Sequence, residues 1–81
     1  MSSEQQLPLS ALTVGNKGKV MLLLAEGALR RRLLDLGVVA DSVIEVIRVS
    51  PAGDPTAYLI RGSLIGLRKK EAHAIIVNPI Q

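Results

Sequence analysis

The residues able to do chemistry fall into three groups: the run Arg30-Arg31-Arg32, the pair Glu71 and His73, and the hydroxyls Ser42, Ser50 and Ser63. His73 is the single histidine of the chain. A carboxylate and an imidazole two residues apart share one face if the chain there is a strand. Glu71 and His73 would then offer two ligands to Fe(II) or Zn(II), which makes a weak surface site, since structural and catalytic centres use three or four. The arginines could serve phosphoryl transfer in trans, meet a nucleic-acid backbone, or form the solvated face of a helix. The serines lie in turns with no base nearby, and no GxxxxGK[ST], GxGxxG or HExxH motif occurs. No catalytic residue and no certain cofactor emerge, so the expectation is a protein that is not an enzyme.

Composition narrows the classes further. Eighty-one residues suit a single domain, 1–81, with its core between about residues 7 and 78. Without cysteine there are no disulfides and no thiolate metal sites. Hydrophobic residues make up 48%, but Tyr58 is the lone aromatic, so the core must be built from Leu, Ile, Val and Ala. Small barrels that bind single strands stack bases on aromatic side chains. Tyr58 falls among inward positions, so no nucleic-acid partner is expected. A net charge of +3 favours acidic partners without specifying one. No apolar run approaches the roughly 18 residues of a membrane span. "MSSEQQLPLS" has neither the basic start nor the apolar stretch of a secretion signal. The expected location is cytoplasmic.

These side chains must be positioned by short elements. "LPLSALTVGNKG" reads as an anchoring segment and a turn, and "KVMLLLA" (19–25) as a strand by its length. In "EGALRRRLLDLG", Leu29, Leu33 and Leu36 stand at i, i+4 and i+7 on one helix face, and Gly37 is placed to end the helix. That face puts Arg30 and Arg31 outward and Arg32 at the border. Arg31 then pairs with Asp35 at i, i+4, leaving Arg30 the freest to meet an acidic partner. "SVIEVIRV" (42–49) reads as a strand, "SPAGDP" (50–55) as a turn, and "TAYLIRGSLIGLR" (56–68) as a hairpin with Gly62-Ser63 at its tip. "KKEAH" makes one helical turn and "AIIV" (74–77) a last strand. Gly15, Gly18, Gly53, Gly62 and Gly66 are spaced like turn punctuation. About five short strands hide their faces best by closing. The expected fold is mainly β, a small barrel with a helix inserted after the first strand.

Alternation assigns faces. A Gly62-Ser63 tip pairs Ile60 with Ile65, Leu59 with Gly66 and Tyr58 with Leu67, with Tyr58, Ile60, Ile65 and Leu67 inward. With Ile44 and Val46 also inward, Val43, Ile47, Val49, Leu59 and Leu64 point outward. Contiguous exposed apolar side chains mark contact surfaces. Either the helix or "LPLSAL" covers this face, or it serves a homo-oligomer or a membrane-protein partner. Strand addition at an open barrel edge is one route. The candidate partner-binding residues are Arg30, Val43, Ile47, Leu59 and Leu64.

Taken in order, "ALRRRLLDLGV", "VIEVIRVSPAGDP" and "IRGSLIGLRKKEAHAIIV" resemble the FeoA family of bacterial and archaeal ferrous-iron transport proteins. The linked features are a helix ending in Leu36-Gly37, a turn from Pro51 to Pro55, Gly62, and Leu67-Arg68 leading to Glu71-Ala72. The resemblance implies an SH3-like β-barrel and a small cytoplasmic protein working with FeoB, a membrane Fe(II) transporter that bears a G-protein domain. The alternative is a transition-metal-binding module, an iron chaperone or sensor, resting on Glu71 and His73. Where the family commonly has Pro-Gly after the helix, this chain has Ala40-Asp41; an aspartate tolerates the left-handed conformation. Arg68 is expected to find a carboxylate partner.

Overall fold

The computed structural model describes residues 5–80. The elements in chain order are β1 (Leu7–Pro8), a 3-10 turn (Leu9–Ala11), β2 (Lys17–Leu23), α1 (Gly27–Asp35), β3 (Val43–Val49), β4 (Thr56–Ile60), β5 (Ser63–Leu67), α2 (Lys69–His73) and β6 (Ile75–Ile80). The strands form one antiparallel sheet in the order β1-β6-β2-β3-β4-β5. The expected mainly-β architecture is present, with two differences. There are six strands, because Leu7 and Pro8 of the anchoring segment pair with Val77 and Ile76, so the helix follows the second strand and not the first. The sheet is open, with β1 and β5 as its edges among the described residues, where a closed barrel was expected. Pro8 has no N–H to extend a ladder, and the chain turns into the 3-10 helix immediately after it.

The helix forms and stops as its leucine spacing and glycine predict. Leu33 is fully buried, with Leu29 and Leu36 packed beside it. Gly37 takes φ +100°, Val38 N–H bonds Leu33 O at 3.0 Å, and Gly37 N–H bonds Leu34 O at 3.0 Å. This is a Schellman closure, and its usual apolar contact is supplied by Leu33 and Val38, both at 0% exposure. Asp41 is left-handed at φ 75°, as the Ala40-Asp41 turn requires.

The β4–β5 hairpin turns one residue earlier than expected. Its tip is Arg61-Gly62, with φ 51° and 80°, the double positive φ of a type I′ turn. Ile60 pairs with Ser63, Leu59 with Leu64, Tyr58 with Ile65 and Thr56 with Leu67. Each partner moves by two positions, which preserves side-chain parity. Tyr58, Ile60, Ile65 and Leu67 therefore still share the inner face, where Tyr58, Ile60 and Leu67 join Leu9, Val20, Ile44, Val46, Ile75 and Val77 in the core.

Candidate functional site

The outer face of the sheet carries an apolar patch that nothing among the described residues covers. Leu59 and Leu64 face each other across β4–β5, and the same cross-strand row continues through Glu45 to Lys17. Leu64 is 59% exposed and Val43 44%. Lys17, Val43, Glu45, Leu59, Arg61 and Gly62 line a shallow concavity of about 260 Å³ there. The LPLSAL segment (7–12) lies elsewhere: Leu9 is in the core, and its turn packs on α2 and β6. An apolar floor with Lys17, Glu45 and Arg61 at its margin has the anatomy of a small protein–protein contact.

Strict alternation fails at one point on this face. The β3–β4 register shifts between Val46 and Arg48, so Arg48 pairs with Ala57 and Val49 with Thr56. Ile47 is the extra residue of a β-bulge and is exposed. Val49, expected outward, instead joins the side of Thr56 and Tyr58 at the open end of the strand, where it remains exposed.

The arginines are distributed differently from expectation. Arg32, the border residue, makes an ion pair with Glu71. Arg30 Nη1 reaches Leu23 O at 3.5 Å. The Arg31–Asp35 pair does not form: among the described residues the ion pairs are Lys19–Asp41, Arg32–Glu71 and Arg68–Asp54. Arg31, not Arg30, is thus the arginine of this helix without a polar partner among the described residues. The carboxylate expected for Arg68 is Asp54, at 4.0 Å, and Asp54 Oδ1 also accepts Lys69 N–H at 2.9 Å.

Glu71 and His73 lie on α2, not on a strand. Two residues of helix separate them by about 200°, so they face apart. Glu71 Oε1 accepts Arg68 N–H at 2.8 Å while Oε2 meets Arg32, and His73 Nδ1 lies 3.4 Å from Ser10 Oγ. Among the described residues no group of three or more His, Cys, Asp and Glu is placed to hold a metal ion. An open cleft of about 900 Å³, with no motif of its own in the sequence, is bordered by Ser10, Asp54, Arg68, Lys69, Lys70 and His73. The consecutive cations 68–70 were its only signal.

Tyr58 is 3% exposed, and burial pushes its phenol above the ordinary value of 10.0, assisted by the Asp54 carboxylate and opposed by a hydrogen bond with Thr56. A raised folded-state value means that the neutral phenol is favoured by folding. Its contribution is complete below pH ~10 and is lost as pH rises through the folded value. Absorbance titration at 295 nm is expected to place Tyr58 ionisation above that of a free tyrosine, and an equal or lower midpoint would contradict the burial.

The family described as FeoA domain matches residues 7–79. This chain belongs to the FeoA family. The FeoA protein from Chlorobium tepidum is 39% identical and superimposes with a TM-score of 0.86 over 93% of this chain and 71% of that one. Stenotrophomonas maltophilia FeoA, crystallised with zinc and described as a procaryotic SH3 domain protein, is 26% identical with a TM-score of 0.80, covering 89% of each chain. A fusion protein of Fe(2+) transport protein A and the Fe(2+) transporter FeoB, from Porphyromonas gingivalis, is 32% identical over 72 residues. That match takes in 89% of this chain and 8% of the fusion protein's length. In this FeoA-family chain no helix among the described residues is long and apolar enough to cross a membrane.

Proposed function

We propose that this chain is a non-enzymatic accessory protein of ferrous-iron uptake that binds a FeoB-type membrane transporter, one bearing a G-protein domain, by the outer sheet face. The observation that carries the reading is the fused relative, in which a segment like this chain is joined to FeoB in one polypeptide. Fusion turns encounter into an intramolecular event at high effective concentration, an arrangement suited to domains that work in contact. The uncovered Val43, Leu59 and Leu64, with Ile47 at the bulge beside them, supply the apolar centre of such a contact. Arg30 borders a different part of the surface, on α1, and would add an electrostatic contribution. Fe(II) is the transporter's cargo, and the chain works in the cytoplasm, held at the inner membrane through its partner.

Co-purification from cells making both proteins at native levels tests this. FeoB is expected to be recovered with the wild-type chain, and Val43→Glu with Leu59→Glu is expected to weaken binding by about tenfold or more, as burying an unpaired charge does. No recovery with wild type, or equal recovery with the double variant, would sink the proposal. The rival metal-carrying role draws on the zinc bound to the Stenotrophomonas maltophilia relative. Calorimetry with Zn(II) or Fe(II) separates the two: binding tighter than millimolar, abolished by His73→Ala, would favour the metal role.

A further inference from the structure

We infer that β5 is a self-pairing edge, through which two copies of this chain join their sheets antiparallel. The hydrogen-bond alternation shows which backbone groups are free. Val46 turns toward β2, accepting from Gly15 N–H at 2.9 Å and donating to Asn16 O at 3.0 Å. Its neighbour Glu45 therefore turns toward Leu59 of β4, its cross-strand partner. Tyr58 and Ile60, flanking Leu59, then turn the other way, toward Ile65 and Ser63. Leu64 and Gly66 are left with N–H and C=O directed away from β4. No turn, loop or cap backbone bond among the described residues involves either one.

Unpaired edges template the addition of another strand, and proteins usually blunt them with charge, proline, a bulge or brevity. The other edge of this sheet is blunted in that way: β1 is two residues long and contains Pro8. β5 has none of these devices. Its five residues, Ser-Leu-Ile-Gly-Leu, bear no charge, and its pairing with β4 runs without a register shift. A charged strand would find no counter-ion along it, whereas an uncharged strand matches it, and β5 itself is one.

The side chains of β5 are also complementary to themselves. A two-fold axis at Ile65 sets Leu64 of each copy opposite Gly66 of the other, so the exposed leucine lies over a position with no side chain. The space there is free: a Cβ built on Gly66 would meet only Pro55 Cγ, at 3.9 Å. On the inner side, Ile65 meets its own copy as a close, non-hydrogen-bonded pair. Paired residues in a sheet point to the same side, so the Leu59–Leu64 patches of the two copies become one surface. Arg61 of one copy then approaches Lys69 of the other, so added salt is expected to strengthen association by screening like charges.

Sedimentation equilibrium of the purified chain, free of any transporter, tests the inference from micromolar to millimolar concentration. Wild type is expected to shift from 8.6 kDa toward twice that mass. Gly66→Val fills the seat of Leu64, and Leu64→Lys charges the edge; each is expected to weaken self-association about tenfold or more. Thermal melts identify any variant that fails to fold. In wild type itself, hydrogen exchange at the Leu64 and Gly66 amides is expected to slow as concentration rises. A wild type that stays monomeric throughout overturns the inference. So does a dimer that both folded variants retain, or one in which the Leu64 and Gly66 amides exchange at the monomer rate.

Discussion

Leu33→Ala is expected to lower stability by about 2–5 kcal/mol, the range for truncating a fully buried leucine. Leu33 has no exposed surface, and its carbonyl accepts both Val38 N–H at 3.0 Å and Leu36 N–H at 3.2 Å. The side chain thus sits where the helix meets the core and where its C-terminus is closed. A nine-residue helix has little stability of its own, so α1 depends on this docking. At about 4–8 °C per kcal/mol for a domain of this size, the melting temperature should fall by roughly 10 °C or more. Arg30→Ala is the matched control. Arg30 is exposed and makes only the 3.5 Å bond to Leu23 O, so its loss should stay within about 0.5 kcal/mol. Paired thermal melts decide: if Arg30→Ala is the more damaging, the helix docks by another face.

Gly18→Ala is expected to cost about 1–3 kcal/mol, as overpacking a filled interior does. Gly18 is buried in β2, opposite Pro79 and Ile44. A Cβ there would lie 2.7 Å from Val77 Cγ2, 2.8 Å from Val77 Cβ and 3.0 Å from Leu12 Cδ1. Val77 Cβ is fixed to its strand, so relief requires β6 itself to move. Gly66→Ala makes the contrast, because its Cβ meets ordinary van der Waals distance only. It should be neutral or mildly stabilising in the monomer, since alanine loses less backbone entropy on folding than glycine. Denaturant melts at low protein concentration compare the two. Equal losses would mean that the strand's intolerance of alanine is general and does not arise from the Val77 contact.

Elements whose signal is local are legible in the amino-acid sequence. Leu29, Leu33 and Leu36 defined the buried helix face and Gly37 its end, because both follow from the helical repeat and from the steric freedom of glycine. Alternation placed Ile44, Val46, Tyr58, Ile60 and Leu67 in the core and Leu59 and Leu64 outside, since strand parity is a property of each strand alone. The linked blocks carried the family. Tertiary structure decided what depends on partners distant in sequence. The two hairpin registers bury the same side chains, so alternation cannot choose between Gly62-Ser63 and Arg61-Gly62 as the tip; the chain takes the second, with Arg61 left-handed. The bulge at Ile47 exists only relative to β4. Arg32 finds Glu71 across 39 residues, an ion pair that no local spacing could indicate, while the local Arg31–Asp35 pair does not form. Gly18 looked like turn punctuation, but it is required because Val77 of a strand 59 residues away comes within 3 Å of where its side chain would be. Whether the strands close is likewise non-local: β1 is two residues long and ends in Pro8, and among the described residues no further strand pairs with β5, so the sheet is open along that edge.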